Sequence, residues 1–343
     1  MAFSTINKSS LYQNNVLYTG NSSYGHGITG VGFQPDLVWI KKRNAIGDHE
    51  LYDAVRGTDK AIETNTEDGE RTAVNLLHSF DADGFTVDDH GIINSVNTFV
   101  AWNWKAGTAV SGATTGSGTA KTYTGSKNTT AGFSIIKYVG NGTAGHTIPH
   151  ELGAIPDMIT VKNLTTGSTH WRSIFPNVNT ANYNLNLNQT NPWNDGTEFN
   201  DTMPTTSVFT VATSGDVNTN DSSYIAYCWK NVAGYSKFSS FSGNGNVDGT
   251  FIQTNFKPSW LLVKRTDSTG AWMLIDNKRL GYNDENRDFK INDTIAERDV
   301  DQADILSNGF KVRTTSSDWN TSGGTYIYMA FGQPIISNSG VCA

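Results

Sequence analysis

Cysteine is nearly absent: Cys228 and Cys342 are the only two in 343 residues. Two cysteines so far apart make no disulfide framework and no zinc spacing, so both are expected as free thiols. Charge is also scarce. Asp, Glu, Lys and Arg make up 17% of the chain, below the roughly 25% of an ordinary soluble domain. No run approaches the ~18 apolar residues of a membrane-crossing helix, and MAFSTINKSS carries no charged-then-apolar leader pattern. The basic clusters are few (Lys41-Lys42-Arg43, Lys278-Arg279) and read as solvated strand edges. With a net charge of −7, the balance argues against nucleic-acid and anionic-membrane partners, and the missing apolar run argues against membrane insertion. GxSxG, HExxH, P-loop and dinucleotide fingerprints are all missing.

Asn, Thr, Ser and Gly fill the deficit, as suits many short strands joined by tight turns. One stretch organises the rest. GFQPDLVWIKKRN, from Gly32, returns as GAIPDMITVKN at Gly153 and NFKPSWLLVKR at Asn255. Each copy leads through a proline (Pro35, Pro156, Pro258) into a short β-rich run ending in lysine (Lys41, Lys162, Lys264). Proline cannot donate to a ladder, so it suits the start of a strand.

Two other signals recur in the same order. Upstream, a strand runs into a glycine turn: VLYTGNSSYGHGI, IIKYVGNGTAGHTI and FSSFSGNGNVDGTFI. Downstream, each unit closes on an aromatic strand: TFVAWNWKAG, SYIAYCWKNVAG and TYIYMAFGQP. Pro156 to Pro258 spans 102 residues (258 − 156), as does Trp229 to Phe331 (331 − 229). Matching intervals in a fixed order predict a tandem triplication.

The expected organisation is an N-terminal arm (1–14), a first β repeat (15–107) and a Gly/Thr/Ser-rich linker or loose surface hairpin (108–130). A second repeat (131–234), a third (235–334) and a C-terminal tail (335–343) follow. The fold class is all-β: three antiparallel sandwich-like repeats with little helix. A short helical turn is placed at Ala73–Leu77. The second and third repeats join without a linker and are expected to move as one body, with the first hinged to them. The closing strands are apolar on both faces, so each needs cover from a neighbouring unit or subunit. That need predicts a homo-oligomer.

Few residues suggest chemistry. His26 and His146 hold matching places in GHGI and GHTI, and the third repeat has no histidine there, so a turn-framework role outweighs a ligand or base. Asp81, Asp83 and Asp88 lie in Asp-Gly-type turns, and Asp284, Glu285 and Asp288 cluster in the third repeat. None forms the facing carboxylate pair of a glycosidase or a complete calcium loop. No catalytic residue, metal ligand or cofactor site is assigned. Trp193 in NPWNDG and Trp319 in SSDWNTSGG sit among amides and carboxylates. They are the candidate binding residues, able to stack on a sugar, against the plainer reading of loop pins.

With these motifs laid out, the chain resembles an uncharacterised family of tailed-bacteriophage virion proteins, labelled tail fibre or structural protein. INKSS, GFQPDLVWIKKR, LYDAVRG, TFVAWNWKAG, GFSIIKYVGNGTAGHTIPHELG, YIAYCWKNVAG, KPSWLLVKRTD and TYIYMAFGQP carry the resemblance along nearly the whole chain. It implies a non-enzymatic structural protein of the virion, made in the bacterial cytoplasm. A tail fibre or receptor-binding surface protein is the first expectation. A capsid decoration or head-fibre protein is the alternative, and a carbohydrate-active depolymerase is the second alternative. Implied partners are other virion proteins, further copies of the chain (a trimer by analogy with phage fibres) and, as a further candidate, a host surface glycan.

Overall fold

The computed structural model describes residues 4–279, 283 and 287–335. It is built from antiparallel strands. The only helical pieces among the described residues are a 3-10 turn at Ser9–Leu11 and a four-residue helix at Gly91–Asn94.

One six-stranded pattern occurs three times. In the first unit the opening strand Gln13–Thr19 pairs with the closing strand Thr98–Trp104, which pairs with the central strand Leu37–Lys42. His49–Asp53, Lys60–Glu63 and Arg71–Thr72 follow outward. The second unit repeats this order with Phe133–Val139, Ser223–Trp229, Met158–Asn163, Arg172–Ile174, Tyr183–Asn186 and Asn194–Asp195. The third uses Ser236–Ser242, Thr325–Pro334, Phe256–Arg265, Trp272–Asp276, Arg287–Lys290 and Arg298–Asp299. Each unit also has a small three-stranded sheet that packs on one face of the large one. Even the register repeats: Trp102 stands opposite Trp39, Tyr227 opposite Thr160 and Met329 opposite Leu262. The sandwich-repeat fold is as the triplication predicts.

The side-chain period of two splits each closing strand between two cores. Phe99 and Ala101, then Tyr224, Ala226 and Cys228, and then Tyr326, Tyr328 and Ala330 point into the core of their own sandwich. Val100, Trp102 and Trp104, with Ile225, Tyr227, Trp229, Ile327, Met329 and Phe331, point the other way into one core common to all three units. There Trp104, Trp260 and Phe331 meet pairwise edge to face, at centroid distances of 5.4 to 5.8 Å. A buried indole removes about 200 Å² from water, on the order of 5 kcal/mol before entropy is charged. The second apolar face of each closing strand is therefore covered by other units of the same chain, which supplies internally the cover that an oligomer would provide.

Several expectations change. The first unit is not hinged, because Leu37, Trp39, Leu51 and Ile62 share the common core with the other two. Of the two readings of segment 108–130, linker or loose surface hairpin, the structure shows the hairpin, and it is not loose: Thr108–Ala113 and Thr122–Asn128 pair and extend the second sheet beside Phe133–Val139. Its anchor is Tyr123, which is buried and donates to Glu151 at 2.6 Å. The N-terminal arm joins the fold, since Ile6 lies in the common core and Gln13 starts a strand. The helical turn falls at Gly91–Asn94, capped by His90, while Asn75 adopts a left-handed φ of 67° and Leu77 begins a strand. The C-terminal tail lies outside the described residues from 336 onward.

Candidate functional site

The chemistry of this chain is concentrated where units meet. The motif lysines Lys41, Lys162 and Lys264 are each 0% exposed, although each lies one residue from the end of its strand. Lys41 Nζ donates to Thr294 O at 3.0 Å, Lys162 Nζ to Glu67 O at 2.9 Å and Lys264 Nζ to Thr190 O at 3.3 Å. Each acceptor belongs to the preceding unit, and the third closes the circuit on the first. The same carbonyls also accept a backbone N–H, from Gly47, Thr169 and Gly270 in turn. Burial pulls the ammonium groups down, to about 8 for Lys41 and Lys162 and about 7 for Lys264. These lysines are seam residues, and the reading of Lys41-Lys42-Arg43 as a solvated edge is corrected. Arg43 joins the same seam through a 2.9 Å pair with Glu297.

A second ring lies beside the first. Trp171 Nε1 donates to Glu63 O at 2.9 Å, and Trp272 Nε1 to Asn186 O at 3.0 Å. The first unit has His49 in that place, against the backbone of Lys290; burial holds its imidazole well below the ordinary histidine value.

Carboxylates form a third layer at two of the three seams. Asp53 is paired with Arg56 at 2.5 Å and accepts from Tyr227 of the second unit at 2.8 Å. Asp276 is paired with Arg279 at 2.7 Å and accepts from Trp102 of the first unit at 2.9 Å. Burial alone would raise the Asp276 carboxyl; Arg279 and Trp102 outweigh it and hold it below the usual range. At the remaining seam Phe175 and Val178 take the Asp and Arg places and Met329 the donor's, so acceptor and donor disappear together. Lys278-Arg279, read as a solvated edge, is corrected as well: Arg279 is 2% exposed.

The glycine turns are held by an asparagine that the repeat comparison missed. Asn94, Asn218 and Asn320 are 0% exposed. Each accepts from the turn's own asparagine N–H and donates three ways back. His26 Nδ1 lies 3.0 Å from Asn94 Oδ1, and His146 Nδ1 3.1 Å from Asn218 Oδ1, which puts both histidines in the turn framework. The available signal was an Asn four or five residues before each closing strand.

The two sequence-predicted binding residues are not brought together. Trp319 is 0% exposed inside the third sandwich, so its indole presents no face to a ligand. Trp193 is half-buried, edge-on to Phe175 at 6.3 Å, and its backbone N–H donates to Thr266 O across the seam between the second and third units. Both are pins. Asp81, Asp83 and Asp88 serve their turns through Thr86, Gly30, Gly32 and Gly25. Asp288 pairs with Arg298 at 2.6 Å, while Asp284 and Glu285 lie outside the described residues. Cys228 is buried and free, its thiol pushed up by burial; Cys342 lies outside the described residues.

Asp48, Glu50 and Glu63 converge, but Arg71 reaches Glu50 at 2.8 Å and Glu63 at 3.1 Å, and Asp48 accepts from Asn65 at 2.7 Å. An open groove of about 520 Å³ runs between Asp36, Ala54 and Val55 of the first unit and the hairpin residues Ala109, Ser111, Thr124 and Ser126. The Asp36 carboxylate on its floor is already engaged by Ala106 N–H and Ser126 Oγ.

Fold and seams together define a class: a single-chain ring of three β-sandwich repeats, locked by buried polar contacts that pass from each unit to the one before. The chain belongs to the family defined by a domain of unknown function, DUF7483, whose model matches residues 8–334. No curated protein and no solved structure gives a significant match.

Proposed function

We propose that this protein is a structural component of a bacteriophage particle surface that works by binding and not by catalysis. The sequence resemblance supplies the particle. The observation that carries the mode of action is the commitment of the buried lysines, the Asp–Arg pairs and the turn histidines to internal seams and turns. Acid–base or nucleophilic catalysis needs such groups held together at one pocket with access to substrate. A closed ring with a common core suits a rigid plate that other proteins pack against.

Burial of Trp319 removes its stacking surface, and half-burial of Trp193 against Phe175 leaves it only part of one. They favour contact with neighbouring virion proteins, as in shell decoration, over receptor binding through those indoles. Mass spectrometry of purified intact particles tests the reading, with the chain expected in many copies and a density map showing the ring seated on virion neighbours. Absence from clean particles contradicts it. Incubation with host surface polysaccharide is expected to release no shorter oligosaccharides; depolymerisation would restore the enzyme alternative.

A further inference from the structure

The hairpin that interrupts the triplication leaves an unguarded sheet edge. Natural sheets blunt their edges with very short strands, charges, proline or bulges. Three of the large-sheet edges here follow that rule, ending in the two-residue strands Arg71–Thr72, Asn194–Asp195 and Arg298–Asp299. The opposite edge of the second sheet does not. Thr108–Ala113 is a six-residue terminal strand with no charge and no proline, and its pairing with Thr122–Lys127 is unbroken in register. All of it is exposed except Val110, which is half-buried. No charged residue occurs from 106 to 120.

The orientation of its backbone can be derived. Thr114 N donates to Lys121 O at 2.7 Å, and these two residues continue the strand's register as a hydrogen-bonded pair. In an antiparallel ladder bonded and non-bonded pairs alternate. Val110 and Gly112 therefore direct their N–H and C=O groups to the hairpin partner, while Ala109, Ser111 and Ala113 direct theirs to the open edge. Among the described residues nothing bonds those outward groups.

We infer that this edge pairs with the same edge of a second copy, antiparallel about a two-fold axis at Ser111. The outward residues read the same in both directions, Ala109-Ser111-Ala113, so the symmetric register sets Ser111 against Ser111 and each Ala109 against an Ala113. It also sets the bulky Val110 against Gly112, twice. The space over Gly112 is held by the Tyr123 ring, since a Cβ there would stand 2.9 Å from Tyr123 Cε1. Val110 of the second copy thus meets an aromatic neighbour, a favourable cross-strand arrangement. With no charge on the strand, no like-charge repulsion opposes the pairing. The interface is isologous and joins two eight-stranded sheets into one.

Sedimentation of the full chain across micromolar to submillimolar concentration tests this, independently of the particle reading. The wild type is expected to pass from monomer to dimer. Ser111→Pro removes only an outward N–H and Ala113→Lys places a charge on the rim; both are expected to stay monomeric with an unchanged melting temperature. In a Cys342→Ser background, Ser111→Cys is expected to form a symmetric disulfide on oxidation, because directly opposed bonded residues have Cα atoms about 5.5 Å apart, within disulfide reach. A wild type that remains monomeric throughout overturns the inference. So does a dimer that survives both edge substitutions, or one that Ser111→Cys fails to cross-link.

Discussion

The three motif lysines carry a pH dependence whose sign follows from proton linkage. An unfolded lysine keeps its proton up to about 10.5, and the folded protein releases it near 8 at Lys41 and Lys162 and near 7 at Lys264. Between those values the unfolded chain binds more protons, so stability rises with pH and is lost again as pH falls toward the folded values. Two other groups of residues bound the useful window. Glu50, raised by burial to about 8, works in the opposite direction below that pH. The buried thiol of Cys228 and the buried tyrosines, all raised, oppose it above about 9 to 10. Denaturant midpoints are therefore expected to increase from pH 8 to pH 9, each lysine adding at most about 1.4 kcal/mol per pH unit. Lys162→Met should remove about a third of that slope. An unchanged slope in this variant would show that Lys162 is not titrating in the seam. The seam role could not be read from the sequence, because a strand-terminal lysine is ordinarily exposed and almost never fully buried without partners. Its partners are main-chain carbonyls, one of its own unit and one of another, which leave no trace in composition.

At the scale of elements, the seams offer an internal comparison. Two use a buried Asp–Arg pair with an aromatic donor, and the third replaces all three with Phe175, Val178 and Met329. Removing one member of a buried pair strands the other charge at about 3–5 kcal/mol, whereas replacing the set with packed apolar groups is often close to neutral. Asp53→Ala is thus expected to lower stability by about that amount. The combined change Asp53→Phe, Arg56→Val, Tyr227→Met should recover most of the loss in equilibrium unfolding. If the triple variant is as unstable as Asp53→Ala, the seams are not interchangeable. The strands themselves were legible in the sequence through the proline-marked central strands and doubly apolar closing strands, although Pro258 lies inside its strand Phe256–Arg265, at a break in register, and not ahead of it. The hairpin at 108–128 was legible only as one of two readings and its union with the second sheet not at all, because its Thr, Ser and Gly residues show no apolar period and one buried tyrosine, Tyr123, anchors it. Trp319 was open to two readings for the converse reason, a core indole set in a run of polar neighbours, and its burial fits the plainer one of a pin.

For the whole molecule, the central claim is that three sandwiches form one body. Circular contacts require the seam between the third and first units to close without a covalent link. Lys41 to Thr294, Trp102 to Asp276 and Thr64 to Ile291 close it, and the arm adds Ser9 N–H to Gln333 Oε1 at 3.1 Å. No unit keeps its inner face covered without the other two, so partial unfolding would expose the tryptophans of the common core. Differential scanning calorimetry of the intact chain tests this most directly. The account predicts a single transition for all 343 residues, with equal calorimetric and van't Hoff enthalpies; a separate, earlier melting of the first unit would contradict it.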